Sequence, residues 1–123
     1  MAKIQITDAE LEIMRILWKR SPLTAPEVVK RVKEVTSWER TTITTMLSRL
    51  VKKEALAQDG EPRSYCYRPL IAERDYAAIE CGTLLEKFFG GEPGNLLEYF
   101  IKHEKLSEED IAHLKSLLNE ERK

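Results

Sequence analysis

No run of about 18 apolar residues occurs anywhere in this 123-residue sequence, so no helix is expected to span a membrane. The start, Met1-Ala2-Lys3-Ile4-Gln5-Ile6, lacks a signal-peptide core, which leads us to expect a cytoplasmic chain without membrane insertion. Cysteine is scarce. Cys66 and Cys81 stand alone, without CxxC or CxC spacing, which argues against a zinc or copper cluster. In a reducing compartment they read as small core or strand residues. His103 and His113 match no carboxylate pattern and read as surface residues of helices. Nor does the sequence pair a nucleophile with a base, set two carboxylates for acid–base work or build a phosphate loop. We therefore expect no enzyme, no metal and no cofactor.

Neither sign of charge dominates: 20 Lys and Arg face 21 Asp and Glu, for a net charge of −1. The halves differ, however. Residues 1–70 hold thirteen basic against nine acidic residues, and residues 71–123 hold seven against twelve. A basic first part and an acidic second part suggest that only the first meets a polyanion.

What the chain does have is a threonine-rich helical pattern, Thr41-Thr42-Ile43-Thr44-Thr45-Met46-Leu47-Ser48-Arg49-Leu50. Ile43, Met46, Leu47 and Leu50 fall at i, i+3, i+4 and i+7, one apolar stripe. Thr41, Thr45, Ser48 and Lys52 take the opposite side, with Thr42, Thr44 and Arg49 on its flanks. β-Branched residues are poor helix formers, so a helix that displays four of them is using them or tolerating them. Hydroxyls beside Arg and Lys suit base edges, thymine methyls and phosphates in a DNA groove. An ordinary exposed helix is the alternative.

Two helices precede this one. Thr7 with Glu10 is a capping-box signal for a first helix over about residues 8–20, with Leu11, Met14 and Trp18 on its apolar side. Ser21-Pro22-Leu23 breaks it. Thr24-Ala25-Pro26-Glu27 opens a second helix to about Lys33, which buries Val28, Val29 and Val32. After the third helix come two short extended segments about the turn cluster Asp59-Gly60-Glu61-Pro62. Tyr65 and Tyr67 share one side of the second segment. Three helices and a hairpin, in that order, make a winged helix over residues 1–70, with the third helix in the major groove and Arg63 of the wing near the DNA backbone. The same topology also serves protein-docking modules.

Residues 71–123 read as helices throughout. Ala77, Cys81, Leu84 and Phe88 form a stripe with Leu85 and Phe89 beside it. Gly90-Gly91-Glu92-Pro93-Gly94 stops that helix. Asn95 is placed to cap a short helix with Leu97, Tyr99, Phe100 and Ile101, and Ser107 with Asp110 opens a last one carrying Ile111, Leu114 and Leu118. So short a segment cannot close a core alone, yet its apolar load is heavy. Pairing with a second copy resolves the conflict, and we expect a homodimer through Leu84, Leu85, Phe88, Leu97, Phe100, Ile101, Ile111, Leu114 and Leu118. A monomer folded back on its first half is the alternative. The expected fold class is mainly α, a winged-helix DNA-binding domain followed by a helical dimerisation domain.

Over essentially its whole length the chain resembles the BlaI/MecI family of bacterial repressors, which control β-lactamase and methicillin-resistance genes. The resemblance rests on Ile6-Thr7-Asp8-Ala9-Glu10-Leu11-Glu12-Ile13-Met14, Leu17-Trp18, Trp38, Thr42-Ile43 and Thr45-Met46-Leu47-Ser48-Arg49-Leu50-Val51-Lys52-Lys53. Tyr65, Tyr67, Gly90-Gly91 and Leu106-Ser107 extend it. It implies a winged-helix dimer on double-stranded DNA, at inverted-repeat operators with TACA/TGTA half-sites, with Thr41, Thr42, Thr44, Thr45 and Arg49 facing the DNA. It also implies release when a membrane-bound sensor protease is activated and the repressor is cut in its dimerisation region, here at Tyr99-Phe100. The chain departs from the family at four positions, one of them Tyr99, where members typically have Asn before the Phe. Thr41 and Thr44 stand where the best-known members have basic residues, and Glu39 stands where they have a capping Ser or Thr. Fewer cations imply weaker phosphate attraction and a shallower salt dependence. The CxC tail of a copper-responsive relative is missing.

Overall fold

The computed structural model describes residues 4–103 and 106–121. Met1 to Lys3, part of the start read for a leader, lie outside them. The chain forms two compact units, Met1–Ala77 and Ala78–Lys123.

In the first unit, α1 (Asp8–Lys19), α2 (Ala25–Val35) and α3 (Arg40–Lys52) enclose one core with a small sheet. Both expected capping boxes form. Thr7 and Thr24 accept the N–H groups of Glu10 and Glu27, whose carboxylates accept the threonine N–H groups in return. The first helix ends one residue earlier than expected, and the second runs two residues further. Thr36 receives the last bond of α2, its N–H donating to Val32 O.

The expected hairpin, β2 (Leu56–Asp59) and β3 (Cys66–Pro69), is joined by a third strand, β1 (Leu23–Thr24). Strand order is β1-β3-β2, fully antiparallel, with Leu23 opposite Tyr67 and Gln58 opposite the same residue on the other side. The sequence reading treated Leu23 as part of a helix break. A two-residue strand has no periodicity of its own, and only its partner β3 reveals it. Leu23 and Tyr67 both reach the core. In the wing turn, Gly60 has φ +100°, and a Cβ there would lie 3.2 Å from Ser64 O, so glycine serves both the backbone conformation and the close approach.

The chain passes between units within α4 (Glu73–Phe88), whose first turn is tied to the first unit. Trp18 Nε1 donates to Ile71 O at 2.9 Å, and the Tyr76 hydroxyl donates to Ile6 O at 3.4 Å. The Trp18 and Tyr76 rings lie 6.1 Å apart.

The second unit holds the rest of α4, then α5 (Pro93–His103) and α6 (Glu108–Glu121). Gly90 and Gly91 both have positive φ, and Gly91 N–H donates to Leu85 O at 2.8 Å, closing the end of α4. Asn95 does not cap α5. That helix begins at Pro93, and Asn95 Nδ2 instead donates to Phe89 O at 3.0 Å. Proline at the first helical position has no N–H to satisfy, which makes the earlier start favourable. Ser107 and Asp110 exchange side-chain and backbone bonds at 3.0 and 3.2 Å, as the opening of α6 requires. Cys81, read as a core or strand residue, is exposed on α4, whereas Cys66 is half-buried in β3.

Candidate nucleic-acid interface

Helix α3 owes its orientation to its buried side. Ile43, Met46, Leu47 and Leu50 are all buried in the core of the first unit. Burying that stripe forces the opposite side outward. Thr41, Thr42, Thr45, Ser48, Arg49 and Lys52 are exposed, and Thr44 on the flank is half-buried. The turn before the helix is set by Thr36, whose hydroxyl donates to Val32 O at 3.0 Å and accepts the Trp38 N–H at 3.3 Å. Arg63 is exposed in the wing turn between β2 and β3. Close by in the wing stem, Arg68 Nε meets Asp59 Oδ2 at 2.9 Å.

The N-terminus of α3 differs from those of α1 and α2. Glu39 occupies the cap position without any side-chain bond to the helix. No acidic residue lies in its first turn. Its far end is held firmly. Lys53, the C-cap, places Nζ 2.5 Å from Glu10 Oε1 and 2.7 Å from Gln5 O. Glu10 is buried, which disfavours its charge. Hydrogen bonds from Lys53 and the Thr7 N–H, with the Lys53 charge, outweigh that and hold its carboxyl below the ordinary glutamate range. One glutamate thus caps α1 and anchors the end of α3.

The outer face of α3 is not uniform. Thr41, Thr42, Thr45, Met46 and Arg49 line an open groove of about 480 Å³ together with Ala9 of α1 and Trp38 of the turn. Thr44, Ser48, Lys52 and Arg63 do not line it. Trp38 and Ala9 were not among the residues expected at the interface. Both sit in the stretches that carry the family resemblance, but nothing in their spacing tells that the fold brings them beside Thr42 and Arg49. Inside the helix, the Thr44 and Thr45 hydroxyls donate to Thr41 O at 3.2 and 2.7 Å. Threonines read as free surface hydroxyls are therefore partly committed to their own backbone.

In the second unit, none of the described residues is buried. Leu84, Phe88, Leu97, Phe100, Ile101, Ile111 and Leu118, all expected in a dimer contact, are exposed, with Leu85 and Leu114 half-buried. Tyr99 and Phe100 are exposed on α5, with their rings in edge-to-face contact at 6.1 Å. Leu97, Ile101, Ile111, Leu114 and Leu118 help line an apolar groove of about 950 Å³ between α5 and α6. No described helix is long and apolar enough to cross a membrane. Among the described residues no cluster suited to a metal ion occurs.

Three helices, a β-hairpin wing and an exposed third helix define a winged-helix protein. The penicillinase repressor family model matches residues 6–120, and the chain belongs to that family. Its members are repressors rather than enzymes. The penicillinase repressor of Bacillus licheniformis is 40% identical over 121 residues, covering 98% of this chain and 94% of the relative. The solution structure of the DNA-binding domain of the repressor BlaI is 48% identical, with a TM-score of 0.55. It covers 62% of this chain and 94% of its own. A solution structure of monomeric B. licheniformis BlaI with the blaP half-operator has the same identity and coverage and a TM-score of 0.53.

Proposed function

We propose that this chain is a dimeric, sequence-specific transcriptional repressor acting in the cytoplasm. Helix α3 enters the major groove of an inverted-repeat operator and presents Thr41, Thr42, Thr44, Thr45, Ser48, Arg49 and Lys52, while Arg63 of the wing approaches the backbone. The observation that carries this reading is the division of α3 into a wholly buried apolar stripe and a polar, cationic outer face. The half-operator bound by the 48% identical relative supports it. A protein-docking module would favour an acidic or apolar outer face on α3, and the residues found there are hydroxyls, Arg49 and Lys52.

The apolar groove between α5 and α6 supports assembly through the second unit, because a second copy supplies the cover that 46 residues cannot supply for themselves. Release by a membrane-bound sensor protease follows if the chain is cut at Tyr99-Phe100. Cleavage within α5 separates two tethered reading heads, which lose the effective concentration that holds both on one operator.

The test is fluorescence anisotropy of the purified chain on the DNA upstream of its own reading frame, across a salt series, with a scrambled duplex alongside. The reading expects two chains per site and a preference of about a thousandfold over scrambled DNA. Arg49→Ala is expected to weaken specific binding by about 1–3 kcal/mol. Equal, steeply salt-dependent binding to both duplexes would sink the sequence-specific reading.

A further inference from the structure

The hydroxyl of Thr45 has one proton, and it is already in use. Thr45 Oγ1 donates to Thr41 O at 2.7 Å, an ideal length for such a bond. The same carbonyl accepts the Thr44 hydroxyl at 3.2 Å and, by helix geometry, the Thr45 N–H of the ladder. A carbonyl has two lone pairs, so three donors overload it, and the long Thr44 bond is the one most easily given up. Thr45 is the committed residue. What its exposed side chain offers to a ligand is a pair of acceptor lone pairs and a methyl group.

That polarity matters for reading DNA. In the major groove, guanine shows only acceptors at O6 and N7, and thymine shows an acceptor at O4 with its methyl. Adenine and cytosine show exocyclic amines, at N6 and N4. Meeting guanine or thymine O4 would require the Thr45 hydroxyl to break its bond to Thr41 O and leave that bond unreplaced. Meeting an amine requires nothing to break. One turn on, Arg49 lines the same groove and has no ion-pair partner among the described residues, so it keeps its donors for acceptors.

We propose that Thr45 is a specificity-determining acceptor that receives a hydrogen bond from the exocyclic amine of an adenine or cytosine in the operator, beside Arg49 acting as donor. This rests on the DNA-binding reading above. The distinction from an ordinary threonine, which serves as donor or acceptor to any base, comes from the bond to Thr41 O alone.

The experiment uses the full chain and a duplex enriched from a random pool by selection on the wild-type protein. Each adenine in turn is replaced by purine, and each cytosine by 2-pyrimidinone, which removes single amines and tells the two sources apart. Affinities are measured for wild type, Thr45→Val and Thr45→Ser, with helical content checked by circular dichroism. We expect one amine whose loss weakens the wild type about five- to tenfold, the size of a single hydrogen bond. Thr45→Val should bind the intact duplex that much more weakly and be indifferent to the same replacement, while Thr45→Ser should remain sensitive to it. An enriched duplex on which Thr45→Val binds like wild type, or loses as much as wild type at every amine, would overturn the inference and leave the repressor reading standing. A pool that yields no enriched sequence would overturn both.

Discussion

Helices α1 and α6 are of similar length, 12 and 14 residues, and both open with a side chain that caps the helix. Yet Ile13, Met14 and Leu17 of α1 are wholly buried, while Leu118 of α6 is 58% exposed. The two units follow the same contrast throughout. Among the described residues, ten of the twelve large exposed apolar ones, from Ile79 to Leu118, belong to the second unit. The difference lies less in composition than in closure. Three helices and a sheet surround the first core on several sides, whereas the helices of the second unit offer one another too little cover. Contiguous exposed apolar patches are uncommon on monomeric proteins, and the proposed dimer would cover this one.

If the first unit is closed and the second waits for a partner, truncating each should act differently. Leu47→Ala removes a buried side chain of α3 and is expected to cost about 2–5 kcal/mol in denaturant unfolding. Leu118→Ala should cost far less in a monomeric sample and show its effect as weaker dimerisation at low concentration. Equal losses for the two variants, independent of concentration, would erase the contrast. Next in size, Ile101→Asp combined with Leu118→Asp puts charge on two exposed sites of the apolar groove. Sedimentation should show a monomer, and affinity for a full inverted repeat should fall by about a hundredfold while half-site binding survives. A dimer that persists would move the interface elsewhere.

Within the closed unit, Glu10→Gln tests the tie between α1 and α3. It leaves Lys53 with a weaker acceptor in a largely buried place, for an expected cost of about 1–3 kcal/mol at neutral pH. The carboxyl of Glu10 is held below its ordinary value of 4.5. Its contribution is therefore complete above that value and fades as pH falls through the lowered native one. Wild type should lose stability across that acidic range, and Glu10→Gln should lose less, as followed by thermal melts from pH 6 to about pH 3. The smallest effect is expected at Glu54, which follows α3 with φ 64°. Glu54→Gly relieves a left-handed backbone that disfavours a side chain, and should raise stability by about 0.5–1 kcal/mol.

Much of this was legible in the residues. The stripe of Ile43, Met46, Leu47 and Leu50 predicted which side of α3 would face the core, since helical periodicity alone sets which positions share a face. The caps at Thr7, Thr24 and Ser107 were equally legible, because each uses a partner three residues away. Other features depend on neighbours distant in sequence. Strand β1 is defined by Tyr67 and Cys66, and the salt bridge of Glu10 joins residues 43 apart. The groove at α3 needs Ala9 and Trp38 brought to Thr42 and Arg49.

The sequence by itself determined the helices, the caps at Thr7, Thr24 and Ser107 and the apolar faces, because these follow from contacts within a turn or two of the chain. It determined the family as well, through matches that run from residue 6 to 120. Only the tertiary structure decided that Glu10 serves two helices, that a third strand joins the wing, and that the helices of the second unit leave one another's apolar residues exposed. It also decided which hydroxyls of α3 have spent their proton, since a rotamer is chosen by the surroundings of a side chain and not by its place in the sequence.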